Sequence, residues 1–299
     1  MKRVLKWIGA SVLVLLVIGY FALIRGYNDS PECHFDLDAA KLHAAAASLG
    51  AGPSEIRVEH VTTFKGFPRA LVTSGEPFAT TEMRVYSYQL VYPDRTIIID
   101  TAMTKDQADK NHGSDYDDAA WSRLHAAIGK ASAVYVTHEH ADHLGGVAAQ
   151  FGSPTVLQHI FLNAAQFNPA TASPVEIPTD ARAQIKTIDV NGVVPVAPGV
   201  ALIAAPGHTP GSQLVYVVKA DGSDLLFTGD TAWQMANIER ERGPARLIGL
   251  AMKSDLNAVT CQLKAIHHLP PTVTVVPGHD GAHMRDLLAK GVLVSGFKN

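Results

Sequence analysis

The hydrophobic pattern changes character twice along the chain. From Trp7 to Ile24 no residue is charged and most are apolar, with Lys2, Arg3 and Lys6 before the run and Arg25 after it. At about 1.5 Å of rise per residue, such a run is near the minimum that crosses roughly 30 Å of hydrocarbon as one helix. Basic residues ahead of it predict a cytoplasmic N-terminus and an exported remainder, a single-pass anchor with its domain on the periplasmic or extracellular side. A cleaved signal peptide is the competing reading, and it too exports the rest of the chain, as a secreted protein.

After "YNDSPE", a short linker, "FDLDAAKLHAAAASLG" predicts a helix with an Asp cap at its start and Gly50 at its end. From about residue 55 the spacing becomes that of strands: "EIRVEHVTTF", then "RVYSYQLVY" and "TIIID" joined by the turn "PDR". "SDYDDAAWSRLHAAIGK" has the cap and apolar spacing of an amphipathic helix, "SAVYV" is a short buried strand, and "ADHLGGVAAQF" is expected to continue as helix. The second half has the same character: strands "VALIAAP", "QLVYVV", "DLLFTGD" and "TVTVVPGHD", with helices at "SDLNAVTCQLKAIHHL" and "AHMRDLLAK". Strands with helices in both halves predict an α/β fold, an αββα sandwich of two mixed sheets flanked by helices and preceded by one N-terminal transmembrane helix. The expected division is 1–27 for the anchor or signal sequence, 28–54 for linker and helix, and 55–299 for one large domain.

Composition adds exclusions. With 47% hydrophobic residues, 18% charged and a net charge of -3, the chain can bury a substantial core and offers no basic face for nucleic acid. The two cysteines, Cys33 and Cys261, are too few for a multi-cysteine zinc site. In an exported compartment they could pair, or they could stay apart with Cys261 simply buried.

The chemistry is concentrated in "VTHEHADHLGG", where His138, His140, Asp142 and His143 come after an apolar strand. Alternation along a strand points His138 and His140 the same way, and the turn beyond them lets Asp142 and His143 face a neighbouring spot. One stretch could therefore serve two adjacent metal ions. Three other strands end in ligand types beside glycines: His208 in "IAAPGHTPGS", Asp230 in "LLFTGDT" and His279 in "VVPGHD". A rigid sheet presenting a site on its loops is expected to look like this.

The set T-H-E-H-A-D-H, G-H-T-P-G, T-G-D-T and P-G-H resembles the metallo-β-lactamase superfamily over about residues 55 to 290. The resemblance implies that His138, His140 and His208 hold a first divalent ion. Asp142, His143 and His279 would hold a second, with Asp230 bridging the two, Asp142 also serving as the catalytic carboxylate, and Asp100 supporting the site from behind. It further implies a hydrolase using two metal ions, zinc by its donor set though iron or manganese would also fit, and a bridging hydroxide to cleave a small ester or lactone. Asp230 points away from the superfamily's true β-lactamases, which carry cysteine or serine there, and the ligand spacing is similar to lactonases that open acyl-homoserine lactones. A β-lactam or thioester hydrolase and an iron-dependent redox member are the alternatives. Those lactonases place a substrate-binding tyrosine where Trp233 stands, making Trp233 a pocket candidate. Residues 101–118 and 233–253 are expected to shape the pocket, with Met235, Ile238, Leu247, Ile248, Leu250 and Met252 available to wall it or to pack as ordinary core. A small-molecule substrate and the membrane are the expected partners, and oligomeric state is left open.

Overall fold

The structure, a computed structural model, describes residues 2–25, 28–167 and 174–298; the boundary expected at residue 27 lies outside them. Its strands are β1 (Glu55–Pro68), β2 (Thr80–Val91), β3 (Thr96–Ile99), β4 (Ala133–Tyr135), β5 (Ile160–Leu162), β6 (Lys186–Thr187), β7 (Val193–Ala197), β8 (Val200–Ala204), β9 (Gln213–Val218), β10 (Asp224–Phe227), β11 (Val273–Val276) and β12 (Val294–Ser295). They form a seven-stranded sheet in the order β12-β1-β2-β3-β4-β5-β6 and a five-stranded sheet in the order β11-β10-β9-β8-β7. Both are mixed: β3 to β6 run parallel beside antiparallel β1 and β2, and β11 lies parallel to β10 in an otherwise antiparallel sheet.

Three buried apolar layers make this a four-layer sandwich. Between the sheets, Ile56, Tyr88, Leu90 and Ile99 meet Leu202, Val215, Val217 and Phe227, with the Tyr88 and Phe227 rings 4.7 Å apart. On the outer face of the larger sheet, Leu124, Ala127 and Ile128 of the helix Asp118–Lys130 cover Ile98, Val134 and Val136. On the outer face of the smaller sheet, Leu42 and Ala46 of the helix Ala39–Ala47, with Val259, Leu263 and Ile266 of the helix Leu256–His267, cover Ala201, Ile203 and Tyr216. Strands enclosed on both faces need apolar residues at consecutive positions, which is why "QLVYVV" is buried throughout. Aspartates cap the helices as expected: Asp38 accepts from the Ala40 and Lys41 amides and Asp117 from that of Ala120.

One expected helix differs. "ADHLGGVAAQF" forms a single α-turn, Ala141–Leu144, and then a 3-10 segment, Gly145–Gln150. The two glycines let this backbone lie on the loop after β3: a Cβ on Gly146 would fall 2.2 Å from the Thr101 carbonyl, to whose neighbour Ala102 its amide donates. Strand β12 was unforeseen; it is only two residues long and pairs in parallel with β1.

The apolar N-terminal run is helical, and Lys6–Arg25 is long and apolar enough to cross a membrane, with none of it buried. Its last turns, Tyr20–Arg25, wind as π-helix. The expected linker is strapped to the domain rather than loose. The Asn28 amide donates to Asn257, Lys264 Nζ donates to the Asp29 carbonyl at 2.7 Å, and Asp29 pairs with Arg242 at 2.8 Å. Cys33 and Cys261 form a disulfide with their Cα atoms 5.3 Å apart.

Candidate metal centre

The seven candidate ligands arrive from four loops, each beyond the end of a strand, and converge between the edges of the two sheets. After β4, Val136 and Thr137 lead into His138 to His143; His208 lies beyond β8, Asp230 beyond β10 and His279 beyond β11. All but Asp142 are buried, and Asp142 alone of the seven is partly open.

They form two groups sharing Asp230. In the first, His138 Nε2 and His208 Nε2 each lie 3.0 Å from His140 Nδ1, while Asp230 Oδ2 lies 3.6 Å from His138 Nε2 and 3.3 Å from His208 Nε2. In the second, His143 Nε2 lies 3.2 Å and His279 Nε2 2.9 Å from Asp230 Oδ1, and Asp142 Oδ2 is 3.7 Å and 3.5 Å from the same two nitrogens. Donors at the corners of a tetrahedron about 2.0–2.1 Å from a zinc ion stand roughly 3.3–3.4 Å from one another, so both groups have the dimensions of a four-ligand site. His143 Nε2 and Asp230 Oδ1 are fully buried and make no hydrogen bond. Buried polar atoms without partners are costly, and a cation between them would supply what is missing. Either group could thus hold a divalent ion.

The surroundings fix which ring nitrogen each histidine offers. Asp100, held in a left-handed conformation (φ 59°), accepts from the Thr137 amide at 2.6 Å and hydroxyl at 2.9 Å and from His143 Nδ1 at 2.8 Å. That leaves His143 Nε2 facing the second group. His279 Nδ1 donates to the Arg84 carbonyl at 2.9 Å, which turns its Nε2 inward likewise. Backing of this sort sets tautomer and orientation. Gly278 leaves room for the Asp230 carboxylate by its lack of a side chain: a Cβ there would sit 2.8 Å from Asp230 Oδ1.

Electrostatics divide the two groups. Burial, reinforced by the neighbouring histidines, pushes His140 down to about 3 and His138 well below the usual imidazole range, so these two side chains offer neutral imidazoles. Burial also opposes charge on His143 and His279, but the carboxylates of Asp230 and Asp142, with Asp100 at His143, outweigh it and hold both above the usual range. Asp230 is held well below the carboxylate range, since the attraction of His279, His143 and His138 overcomes its burial.

Glu139, read from the sequence only as part of the cluster, has a distinct place. Its side chain turns away from the ligands, accepting from the Thr209 hydroxyl at 2.7 Å and the Gly211 amide at 3.1 Å, and so ties the loop bearing His140 to the loop bearing His208. Glu139→Ala leaves the buried Gly211 amide without its acceptor and the Thr209 hydroxyl with Ser212 alone, and should lower stability by about 1–3 kcal/mol. Denaturant unfolding checks this; a midpoint equal to wild type would show the tie to be dispensable.

Beside the groups is a cavity of about 270 Å³, walled by Phe64, Phe67, Met83, Met103 and Trp233 and by Ile248, Ala251 and Met252, with His140, Asp142, Asp230 and His279 at its base. Of the expected wall residues, Ile248 and Met252 line it. Met235 and Ile238 instead pack beneath the smaller sheet's outer helices, and Leu247 and Leu250 face outward. From 101–118, Met103 and Asn111, on either side of the short helix Lys105–Lys110, line the cavity. Phe64, Phe67 and Met83 were not anticipated; they come from β1 and β2, distant in sequence from every ligand. The Trp233 ring stands edge-on to His208 with centroids 6.0 Å apart, and its buried Nε1 makes no hydrogen bond.

Comparison with known proteins agrees with this geometry. A stretch of 105 residues is 32% identical to an N-acyl homoserine lactonase from a Bacillus species, covering 35% of this chain and 40% of that one. A similar stretch is 31% identical to the N-acyl homoserine lactonase of Bacillus cereus, again over 40% of its length. The chain thus matches about two fifths of the length of these curated relatives. Among solved structures, a quorum-quenching N-acyl homoserine lactone lactonase superposes with a TM-score of 0.60 at 19% identity, covering 78% of this chain and 95% of that one. AidC, a dizinc quorum-quenching lactonase, superposes with a TM-score of 0.55 at 15% identity over 78% and 91% of the two chains. At such identities the superpositions speak for the fold. Residues 80–279 match the metallo-beta-lactamase superfamily, and with two thirds of its length inside that match the chain belongs to that superfamily.

Proposed function

We propose that the protein is a membrane-anchored, exported metallohydrolase that opens a small lactone or ester, with acyl-homoserine lactones as its first candidate substrates. The observation that carries this reading is the single carboxylate of Asp230 turning one oxygen to each of two ligand groups. His138, His140 and His208 would hold one divalent ion and Asp142, His143 and His279 the other. Nitrogen and oxygen donors without a thiolate suit zinc, which is the metal we propose, over softer-ligand alternatives. When bound, the pair would supply Lewis acidity and a hydroxide nucleophile at neutral pH.

The chain's own residues do the rest. Asp100 and the Arg84 carbonyl keep two imidazoles aimed. The apolar walls exclude water and hold an acyl chain, as a cavity of this size suits a small ligand. Asp142, partly open at the base of the cavity, is placed to take up the proton carried in by the attacking water and pass it to the leaving alkoxide as the acyl carbon–oxygen bond breaks. Trp233 donates its free indole N–H to the bound substrate. Likeness to N-acyl homoserine lactonases supports the substrate class. The disulfide supports export, because such bonds persist in oxidising compartments. N-terminal sequencing of the mature protein separates a retained anchor from a cleaved signal.

The test of the reaction is zinc-loaded protein against lactones, aryl esters, thioesters and a β-lactam, with a chelator control. Chelator-sensitive turnover of a lactone or ester is expected. Stoichiometric iron with no acyl hydrolysis would sink the hydrolase reading in favour of redox chemistry. Within that assay Trp233→Phe, which keeps an aromatic ring of smaller size and removes the donor, should lower kcat/KM about tenfold, as loss of one hydrogen bond to a reacting group does. An unchanged kcat/KM would make Trp233 a wall and nothing more.

A further inference from the structure

The cavity shares a wall with the place where the apolar helix meets the domain. The last turns of that helix, Tyr20–Arg25, pack on two short helices, Arg69–Val72 and Arg246–Met252. The Ser74 hydroxyl donates to the Ile24 carbonyl at 3.3 Å, and the Tyr20 and Phe78 rings lie 6.0 Å apart. These same elements build the cavity's outer wall: Ile248, Ala251 and Met252 lie on Arg246–Met252, and Phe67 just precedes Arg69–Val72. Outside the N-terminal helix, the large apolar side chains left largely exposed among the described residues are Leu49, Phe67, Phe78, Val193, Leu247 and Leu250. Four of these six stand on or beside the two helices at the helix exit. Clustering of this kind marks an interaction surface, whereas scattered exposure would not. Asn28, Asp29 and Cys33, soon after the helix, are fastened to Asn257, Arg242 and Cys261 of the domain.

We propose that the cavity mouth rests on the bilayer surface and that the enzyme takes its substrate from the membrane, as a lactone or ester carrying a long acyl chain. The inference rests on the hydrolase reading above and on retention of the helix as an anchor. Its occupant is the lipid surface because the exposed patch is continuous with a helix that is itself of membrane composition. An acyl chain dissolved in the bilayer gains about 0.8 kcal/mol per buried methylene, so long-chain substrates are concentrated where Phe67, Phe78 and Leu250 stand.

The experiment uses the full chain, zinc-loaded, in phosphatidylcholine vesicles, with N-butanoyl- and N-tetradecanoyl-homoserine lactone as probes. Neither Phe78 nor Leu250 lines the cavity, so Phe78→Asp with Leu250→Asp should leave butanoyl turnover unchanged and lower tetradecanoyl turnover about tenfold. Equal retention of both rates would overturn the proposal. If wild type hydrolyses neither probe, acyl-homoserine lactones fail as the substrate class instead. A readout independent of turnover comes from a bimane probe on Leu250→Cys, whose emission should be quenched by brominated lipid. No quenching overturns membrane contact, and probe burial accompanied by a cross-linked dimer would assign the patch to a second copy of the chain and overturn it as well.

Discussion

Asp230→Ala should abolish hydrolysis, with a loss of at least about a thousandfold in kcat/KM, or about 4 kcal/mol of transition-state stabilisation. Among the described residues Asp230 alone faces both ligand groups, so this substitution takes a donor from each. The metal content per chain should fall below two. His140→Ala takes one donor of four from the first group only, so it should abolish turnover as well while the second group keeps its ligands. The stability costs differ for an electrostatic reason. Asp230 is the largest influence holding His143 and His279 above the usual imidazole range, and removing one partner of a buried charge set typically costs about 3–5 kcal/mol. His140 is held neutral, so its removal costs packing rather than charge balance. Asp230→Ala should therefore lower the unfolding free energy of the metal-free protein more than His140→Ala does. Turnover close to wild type in either variant, measured on any substrate that the chelator protects, would remove the centre from the mechanism.

How much of the site was legible in the sequence depends on how each part is encoded. The candidate ligands are polar residues at the ends of apolar strands, beside glycines. Local alternation says which way His138 and His140 point without knowledge of the fold, and the strand–loop pattern at His208, Asp230 and His279 repeats the signal. The cavity walls carry no such mark. Ile248 and Met252 line the cavity while Met235 and Ile238 on the same segment are core and Leu250 is exposed, and the apolar spacing of "WQMANIERERGPARLIGLAMK" is the same under all three outcomes. Phe64, Phe67 and Met83 reach the site because β1 is bulged and extends to Pro68, a property of pairing with β2 and not of either stretch alone. Glu139 was invisible as a brace because its partners, Thr209 and Gly211, are brought near it only by the packing of one sheet against the other. The same limit applied to the cysteines: 228 residues separate them in sequence, and only the tertiary fold puts them side by side.

Replacing that pair, as Cys33→Ser with Cys261→Ser, should lower the unfolding free energy by about 2–4 kcal/mol, seen as a fall of about 5–10 °C in Tm. The disulfide closes almost the whole domain into one loop, and in the chain-entropy account the constraint on the unfolded state grows with loop length. The strap's other fastenings are weaker. Its hydrogen bonds, Asn28 to Asn257 and Lys264 to Asp29, contribute about 1 kcal/mol each at most. The Asp29–Arg242 pair is about half exposed on the aspartate side and is screened by water and salt. With the disulfide gone, residues 28 to 38 should therefore open well below the global transition, which hydrogen exchange would register as faster labelling of this segment alone. None of the seven candidate ligands touches the strap, so turnover of a water-soluble short-chain probe should stay near wild type. Turnover of a membrane-held probe should fall, because the hold that keeps the cavity mouth at the helix exit is then loosened. A double-serine variant that melts with wild type and treats both probes alike would mean that the domain is held to the helix by packing at Tyr20–Arg25, with the disulfide contributing nothing to its placement.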